Sequence, residues 1–518
     1  MYEIDRDLDI PLYIQIRDNI AGAIAEGLLQ PGDKLPSVSA LAKEIGVTQA
    51  TIRRALQDLG DAGHTCCYVG RGTFIRDAGD TDERIAVVGE GSRPDALEAE
   101  LRDRRGGGHD RSREHAARRL RTGVSKALYD IMPLAHKPGI IALTKGIPDE
   151  KMIPAGFLEE VCRQTVQDGA EQYIQATEPA GRYELREEIA RRASLDGTPV
   201  TPDMVMITNG VMQAIALIAQ HGIERQPEII CETPCFQGIP SSFAAMGHWV
   251  ETVQRDEEGP RVEQLEKYAE KRARLLYVCP YAHNPMGTDL SPERYGYLVE
   301  WARRTGSVVI ADEIFKELRF GDTVQPSLLK SLGGEQSIVV SSMSKSIMPG
   351  LRIGWIITSA QRIQELVQLK RLMDNSSPAF IQGMALAIFS SGKFDAHTEK
   401  MRQVYRSRMD TLLKSLKKSM PAGVRWSQPD GGFSIFMELP RGYSSVALLL
   451  SAIDMGVSFL PGPLFDIDQR YVHGLRLSTA WSDEHQIREG VELLGKAIED
   501  FIAEPACDTG LSGLGGFQ

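Results

Sequence analysis

Apolar positions fall into distinct textures along the 518 residues. Up to about residue 76 they recur at three- and four-residue spacing in short bursts. Tyr13, Ile16, Ile20 and Ile24 form one helical stripe behind Pro11, a residue whose missing N–H is harmless at a helix start. Gly27 and Pro31-Gly32 end that helix. Leu41, Ala42 and Ile45 mark a second, shorter one, and Gly46 supplies a tight turn. Thr48 is an N-cap for a third helix that buries Ile52, Ala55, Leu56 and Leu59. Gln49, Ala50, Arg53 and Arg54 are then left near its exposed N-terminal side. Two strand-like runs flank Gly70-Arg71-Gly72, a hairpin with Arg71 at the tip.

The texture changes at residue 77. Residues 77–122 are polar and include Gly106-Gly107-Gly108, the composition of a flexible linker. Eight arginines against three acids lie between Leu101 and Arg121, and a solvated spacer is the expected role. From 123 to 503, apolar strand-like runs alternate with helical patterns, which predicts an α/β domain. Residues 504–518 end in a Gly/Ser-rich tail.

Composition narrows the function classes. With 42% hydrophobic and 25% charged residues the chain is a folded protein, and no apolar run approaches the roughly 18–20 residues that span a bilayer. The acidic start Met1-Tyr2-Glu3-Ile4-Asp5 carries no export signal, so no membrane association and a cytoplasmic location are expected. Seven scattered cysteines fit a reducing compartment, and none sits at zinc spacing, so no metal is expected. The net charge of −11 argues against a coat on nucleic acid, but phosphate attraction acts locally and leaves room for a DNA-binding patch.

The long domain carries an ordered set of polar residues at strand ends. Ile207-Thr208-Asn209-Gly210 leads into a helix beginning near Val211, and the N–H groups of Val211 and Met212 can cradle a phosphate there. Asn284 follows the strand Leu275–Cys279, and Asp312 ends the strand Val308–Ala311. Strand Ser337–Val340 runs into Ser341-Ser342-Met343-Ser344-Lys345, with Arg352 seven residues beyond the lysine. Arg476 is a bidentate carboxylate partner. A Schiff-base lysine, a carboxylate for a ring nitrogen and phosphate donors are what pyridoxal 5'-phosphate demands.

Two resemblances cover almost the whole chain. Pro11-Leu12-Tyr13, Leu35-Pro36-Ser37, Leu41-Ala42, Gly46-Val47-Thr48, Thr51-Ile52-Arg53 and Gly70-Arg71-Gly72-Thr73-Phe74 together resemble a GntR-type winged helix over residues 1–76. This implies DNA contacts from Ser37, Ser39, Thr48, Gln49, Thr51, Arg53, Arg54, Arg71 and Gly72. The set Asn284…Asp312…Lys345…Arg352…Arg476, with Gly146-Ile147-Pro148 and Pro234-Cys235-Phe236, resembles the class I/II aminotransferase domain. It implies an α/β fold-type-I pyridoxal-phosphate-dependent transferase-like domain with a smaller C-terminal α+β subdomain. Lys345 is then the catalytic Schiff-base lysine. Asp312 serves the ring nitrogen, Phe236 stacks on the ring, and Asn284 touches its 3-oxygen. Ser342, Ser344 and Arg352 bind phosphate, and Arg476 with Ile147 meets an effector. A winged helix-turn-helix fused to such a domain resembles the MocR-type regulators of the GntR family. That implies a head-to-tail homodimer, a double-stranded DNA operator and, as effector, a small amine or amino acid or pyridoxal phosphate itself. An active aminotransferase with an accessory head is the alternative.

Departures from both patterns bear on function. The head has Ser39 and Gln49 where the family usually places arginines, and eight basic against ten acidic residues leave it at −2. In the body, Phe315 replaces the family's tyrosine three residues after the aspartate, and Val211-Met212 replaces Ser-Gln. The domain is therefore expected to hold the cofactor better than it turns substrate over.

Overall fold

A computed structural model describes residues 12–25, 29–30, 33–36, 38–47, 51–52, 55–56, 59, 65–68, 72–75, 135, 137–154, 156–167, 169–222, 228–269, 274–321 and 326–503. The expected linker 77–122 and tail 504–518 lie outside them. The chain divides into two compact units, Met1–Arg104 and Arg105–Phe517.

In the first unit, helix α1 (Leu12–Ala25) buries Ile16 and Ile20 completely, and α2 (Val38–Ile45) buries Leu41 and Ala42. Gly46 at φ +73° closes α2, its N–H bonding the Ala42 carbonyl. Residues 51–52, 55–56 and 59 are helical and add Ile52, Ala55, Leu56 and Leu59 to the same core. Strands β1 (Thr65–Tyr68) and β2 (Gly72–Ile75) pair antiparallel, Tyr68 opposite Gly72. Residues 33–35 extend this hairpin: Leu35 N–H bonds the Thr73 carbonyl and Ile75 N–H the Asp33 carbonyl. The apolar spacing thus produced a helical triad core with a wing.

The second unit is built on an eight-stranded sheet. Its strands are β4 (Val205–Thr208), β5 (Ile229–Thr233), β6 (Val250–Asp256), β7 (Gly259–Pro260), β8 (Leu275–Val278), β9 (Val308–Asp312), β10 (Ser337–Ser342) and β11 (Gly354–Ile357). They lie in the order β4-β11-β10-β9-β8-β5-β6-β7. The run from β10 to β6 is parallel, while β11 runs antiparallel to β10 and β4. Helices cover both faces, so β4 and β5 are buried at every position. Ile207, Ile230, Leu276 and Val309 enter the core on one face, and Met206, Ile229, Tyr277 and Ile310 the core on the other.

A smaller antiparallel sheet has the order β12 (Arg425–Trp426), β13 (Ser434–Glu438), β16 (Gly474–Ser478), β15 (Leu460–Pro461). The long helices Lys393–Ser419 and Glu484–Ala503 pack with it around Leu412, Leu416, Leu475 and Val491. This subdomain is not purely C-terminal. Strand β3 (Ile141–Ala142) pairs in parallel with β14 (Val457–Ser458). The segment that follows β3 thereby runs from the subdomain to the lysine turn after β10 of the main sheet.

Candidate cofactor site

The carboxyl ends of parallel strands gather the ligand groups of open α/β sheets. Asp312 closes β9 and is 5% exposed. Its carboxylate accepts from the Tyr277 hydroxyl at 2.8 Å and from the Ile314 N–H at 3.1 Å. Burial raises its pKa to about 6, against the pull of those two donors and of Lys345. Lys345 follows β10. Burial and the nearby Arg476 charge lower its pKa to about 8. Its Nζ donates to the Gly146 carbonyl at 2.7 Å.

Arg352 precedes β11 in the left-handed region, at φ +53°. Its Nη2 donates to the Asn209 carbonyl at 3.1 Å. Gly210 stands beside it at φ +92°, and a Cβ there would lie 3.0 Å from Nη2. Helix Val211–Gly222 starts at this point, with Val211 buried and Met212 exposed. Its entry is braced by Asp374, which accepts from Asn209 Nδ2 at 2.7 Å and Gln213 Nε2 at 2.6 Å. Gly354 permits the close approach, because its Cβ would sit 2.8 Å from the Gly210 Cα.

The two serines meet at the lysine turn: the Ser342 hydroxyl donates to the Ile353 carbonyl at 2.6 Å and lies 2.8 Å from the Ser344 hydroxyl. The pair ties the lysine turn to the strand entering from Arg352. Phe236 is 48% exposed and lies over Gly238, leaving ring surface open. Phe315 is buried edge-on against Phe433, at 5.3 Å between centroids.

Arg476 on β16 is 3% exposed and donates to the Thr144 carbonyl. Burial lowers its pKa to about 10. Gly146 lies against it, since a Cβ there would fall 3.0 Å from Nη1. Ile147 next door is exposed. In the head, Thr51 is half-buried in its helix and Gly72 pairs with Tyr68. Ser37, Thr48, Gln49, Arg53, Arg54 and Arg71 lie outside the described residues, as does the side chain of Ser39.

Tyr277 and Asp374 escape the sequence reading, and of Gly146 it gives the motif Gly146-Ile147-Pro148 but not the contact with Lys345. Of the first two, only Tyr277 carried a signal, a hydroxyl inside an otherwise apolar strand.

One buried polar atom without a partner, the Nε of Arg476, fits a bound acid group. The Gly210–Arg352 cradle, open only because residue 210 lacks a Cβ, fits a phosphate. Fold and donors together define the class: a fold-type-I domain that takes pyridoxal 5'-phosphate. Residues 141–494 match the family of aminotransferase class I and II, and residues 12–75 that of bacterial regulatory proteins, gntR family. The 2-aminoadipate transaminase of Thermus thermophilus is 30% identical over 73% of this chain and 95% of its own. The uncharacterized HTH-type transcriptional regulator YdcR of Escherichia coli is 26% identical over 94% of this chain and 99% of its own. The structure of LysN, the alpha-aminoadipate aminotransferase of Thermus thermophilus, complexed with N-(5'-phosphopyridoxyl)-L-leucine, superimposes with a TM-score of 0.67. It is 30% identical and covers 75% of this chain and 97% of that one. The chain belongs to the MocR-type regulators, in which a GntR DNA-binding head is fused to a class I/II aminotransferase domain. Among the described residues no helix is long and apolar enough to cross a membrane.

Proposed function

We propose that the protein is a pyridoxal-phosphate-dependent transcription regulator whose body senses an amino acid and whose head reads an operator as a homodimer. The observation that carries this is the link Lys345–Gly146–Arg476. When bound, pyridoxal phosphate supplies an aldehyde that exchanges one amine for another. Lys345 is the resident amine, and its lowered pKa keeps a share of it neutral, as a nucleophile must be. Arg476 is the grip for the incoming acid group. Joined to the cofactor aldehyde, Lys345 would give up the contact of its free Nζ with the Gly146 carbonyl; an incoming amino acid would release the lysine as a free amine able to return to that carbonyl, while Arg476 would exchange a carbonyl partner for a carboxylate. Residues 144–147 therefore have different partners with and without effector. Such a difference is what coupling to DNA affinity requires.

The test is operator binding by fluorescence anisotropy, with cofactor and a panel of amino acids. One or more amino acids should shift DNA affinity at least about fivefold, a coupling near 1 kcal/mol. Lys345→Ala and Arg476→Met should each abolish the shift. DNA affinity indifferent to cofactor, amino acid and Lys345 overturns the reading.

A working aminotransferase is the second reading, favoured by the presence of Asp312 and Lys345 and by the 30% identity to a transaminase. Phe315 and Val211-Met212 weigh against efficient turnover. Release of the keto acid from a single equivalent of amino acid, measured per cofactor, separates the two.

A further inference from the structure

Charged groups sealed from solvent lie behind the ring-facing loop. Glu232 on β5 and His283 are 0% exposed, and Arg255 on β6 is 5% exposed. Arg255 Nη1 stands 2.8 Å from Glu232 Oε2, and His283 Nε2 stands 3.3 Å from Oε1. Oε1 also accepts the N–H of Cys279, the residue that follows β8. Burial opposes the charge on Glu232, but Arg255, His283 and the Cys279 N–H more than offset it, and its pKa falls to about 2. Burial and Arg255 push His283 down to about 4, so its ring is neutral at physiological pH.

Every exit from this cluster leads to the turn that carries Asn284. Arg255 Nη2 donates to the carbonyl and hydroxyl of Thr288, at 3.2 and 3.3 Å. The His283 N–H donates to the same Thr288 carbonyl at 3.0 Å, and its Nδ1 accepts from the Met286 N–H at 3.4 Å. The Gly287 N–H returns to the His283 carbonyl. Ala282, at the mouth of the turn, is held at φ +42°, a conformation a residue with a Cβ keeps only where its surroundings over-determine it. A buried ion pair is a poor stabiliser, because desolvation consumes most of its attraction and apolar side chains would pack as well. Its return is conformational: one geometry for the Cys279–Thr288 loop.

We propose that Glu232, Arg255 and His283 are positioning residues for Asn284, fixing its side chain toward the 3-oxygen of the bound pyridine ring. The proposal rests on the assignment of Asn284 to that oxygen. It makes the second layer a determinant of cofactor electronics, acting through the backbone of a single turn.

The experiment is a pH titration of the visible absorbance of the full-length, cofactor-loaded protein. A donor to the 3-oxygen favours its anionic form, so Asn284→Ala should raise the midpoint by about one unit. Glu232→Gln and His283→Gln should raise it in the same direction by about half a unit. If Glu232→Gln does not fold, the paired Glu232→Gln/Arg255→Met variant, which leaves no lone buried charge, replaces it. Unfolding midpoints are measured alongside. Variants that fold and load but keep the wild-type midpoint, while Asn284→Ala moves it, overturn the positioning role. An unmoved midpoint in Asn284→Ala overturns the underlying assignment instead, and the proposal with it.

Discussion

The ammonium of Lys345 and the carbonyl of Gly146 meet at 2.7 Å across 199 positions of sequence. Gly146 can serve because it has no side chain: a Cβ would press on the Arg476 guanidinium. Lysine, backbone and arginine therefore share one short segment. Replacing Lys345 by alanine should abolish the visible absorbance of the loaded protein. At pH 7.5 relief of the desolvated ammonium should offset the lost hydrogen bond, worth about 1 kcal/mol, so the Tm of the cofactor-free protein should hold or rise. A clear drop in Tm would mean that the lysine is structural.

Asp312 and Lys345 give the cofactor-free body a pH signature. The aspartate's pKa rises from 3.8 to about 6 on folding. Its contribution to stability is thus whole below pH 3.8 and is lost as pH climbs through 6. The lysine's pKa falls from 10.5 to about 8, so its contribution is whole above 10.5 and lost as pH drops through 8. Between those values both penalties act together. Asp312→Asn should therefore raise the Tm of the cofactor-free protein at pH 7.5, by an amount equivalent to about 1–3 kcal/mol. The gain should vanish below pH 4, while cofactor retention collapses. A variant no more stable than the parent at pH 7.5 contradicts this account.

Gly210→Ala tests the phosphate cradle. At φ +92° any Cβ is strained, and here it would also crowd the Arg352 Nη2 at 3.0 Å. The expected loss is about tenfold in affinity for pyridoxal phosphate, near 1.4 kcal/mol, with far less change for pyridoxal, which lacks the phosphate. Equal losses for both would place the phosphate elsewhere.

Phe315→Tyr restores a hydroxyl the family usually carries. The ring is 4% exposed and already fixed against Phe433. If its edge faces the 3-oxygen, the titration midpoint of the loaded protein should fall by about one unit. An unchanged midpoint with a lower Tm would mean the new hydroxyl is buried without a partner.

Local pattern made the strands, the helix starts and the order of the polar residues legible. Asp312 stood at the end of an apolar run, and Lys345 and Arg352 were separated by a fixed seven positions. The contacts that tune them were not legible, because strand order rather than periodicity creates them. Tyr277 reaches Asp312 because β8 and β9 are neighbours, and Glu232 reaches Cys279 because β5 and β8 are. Glu232 did leave a trace: an acid inside the apolar run Ile229–Thr233 is rare unless it is paired. The bond from the Ser342 hydroxyl to the Ile353 carbonyl was equally out of reach of the pattern.

The reversed strand β11 also has a bearing on how the pocket is assembled. Because β11 lies antiparallel to β10, the chain from Ser342 to Gly354 turns back at once instead of crossing the sheet through a helix. Closing so short a loop costs little chain entropy. The turn that carries the lysine and the phosphate arginine is therefore closed by contacts near in sequence, of the kind that form fast during folding, while their partners Gly146 and Asn209 are far away in the chain. Asp312 and Asn284 join through the parallel strands, and Arg476 arrives only when the distant subdomain closes on Gly146.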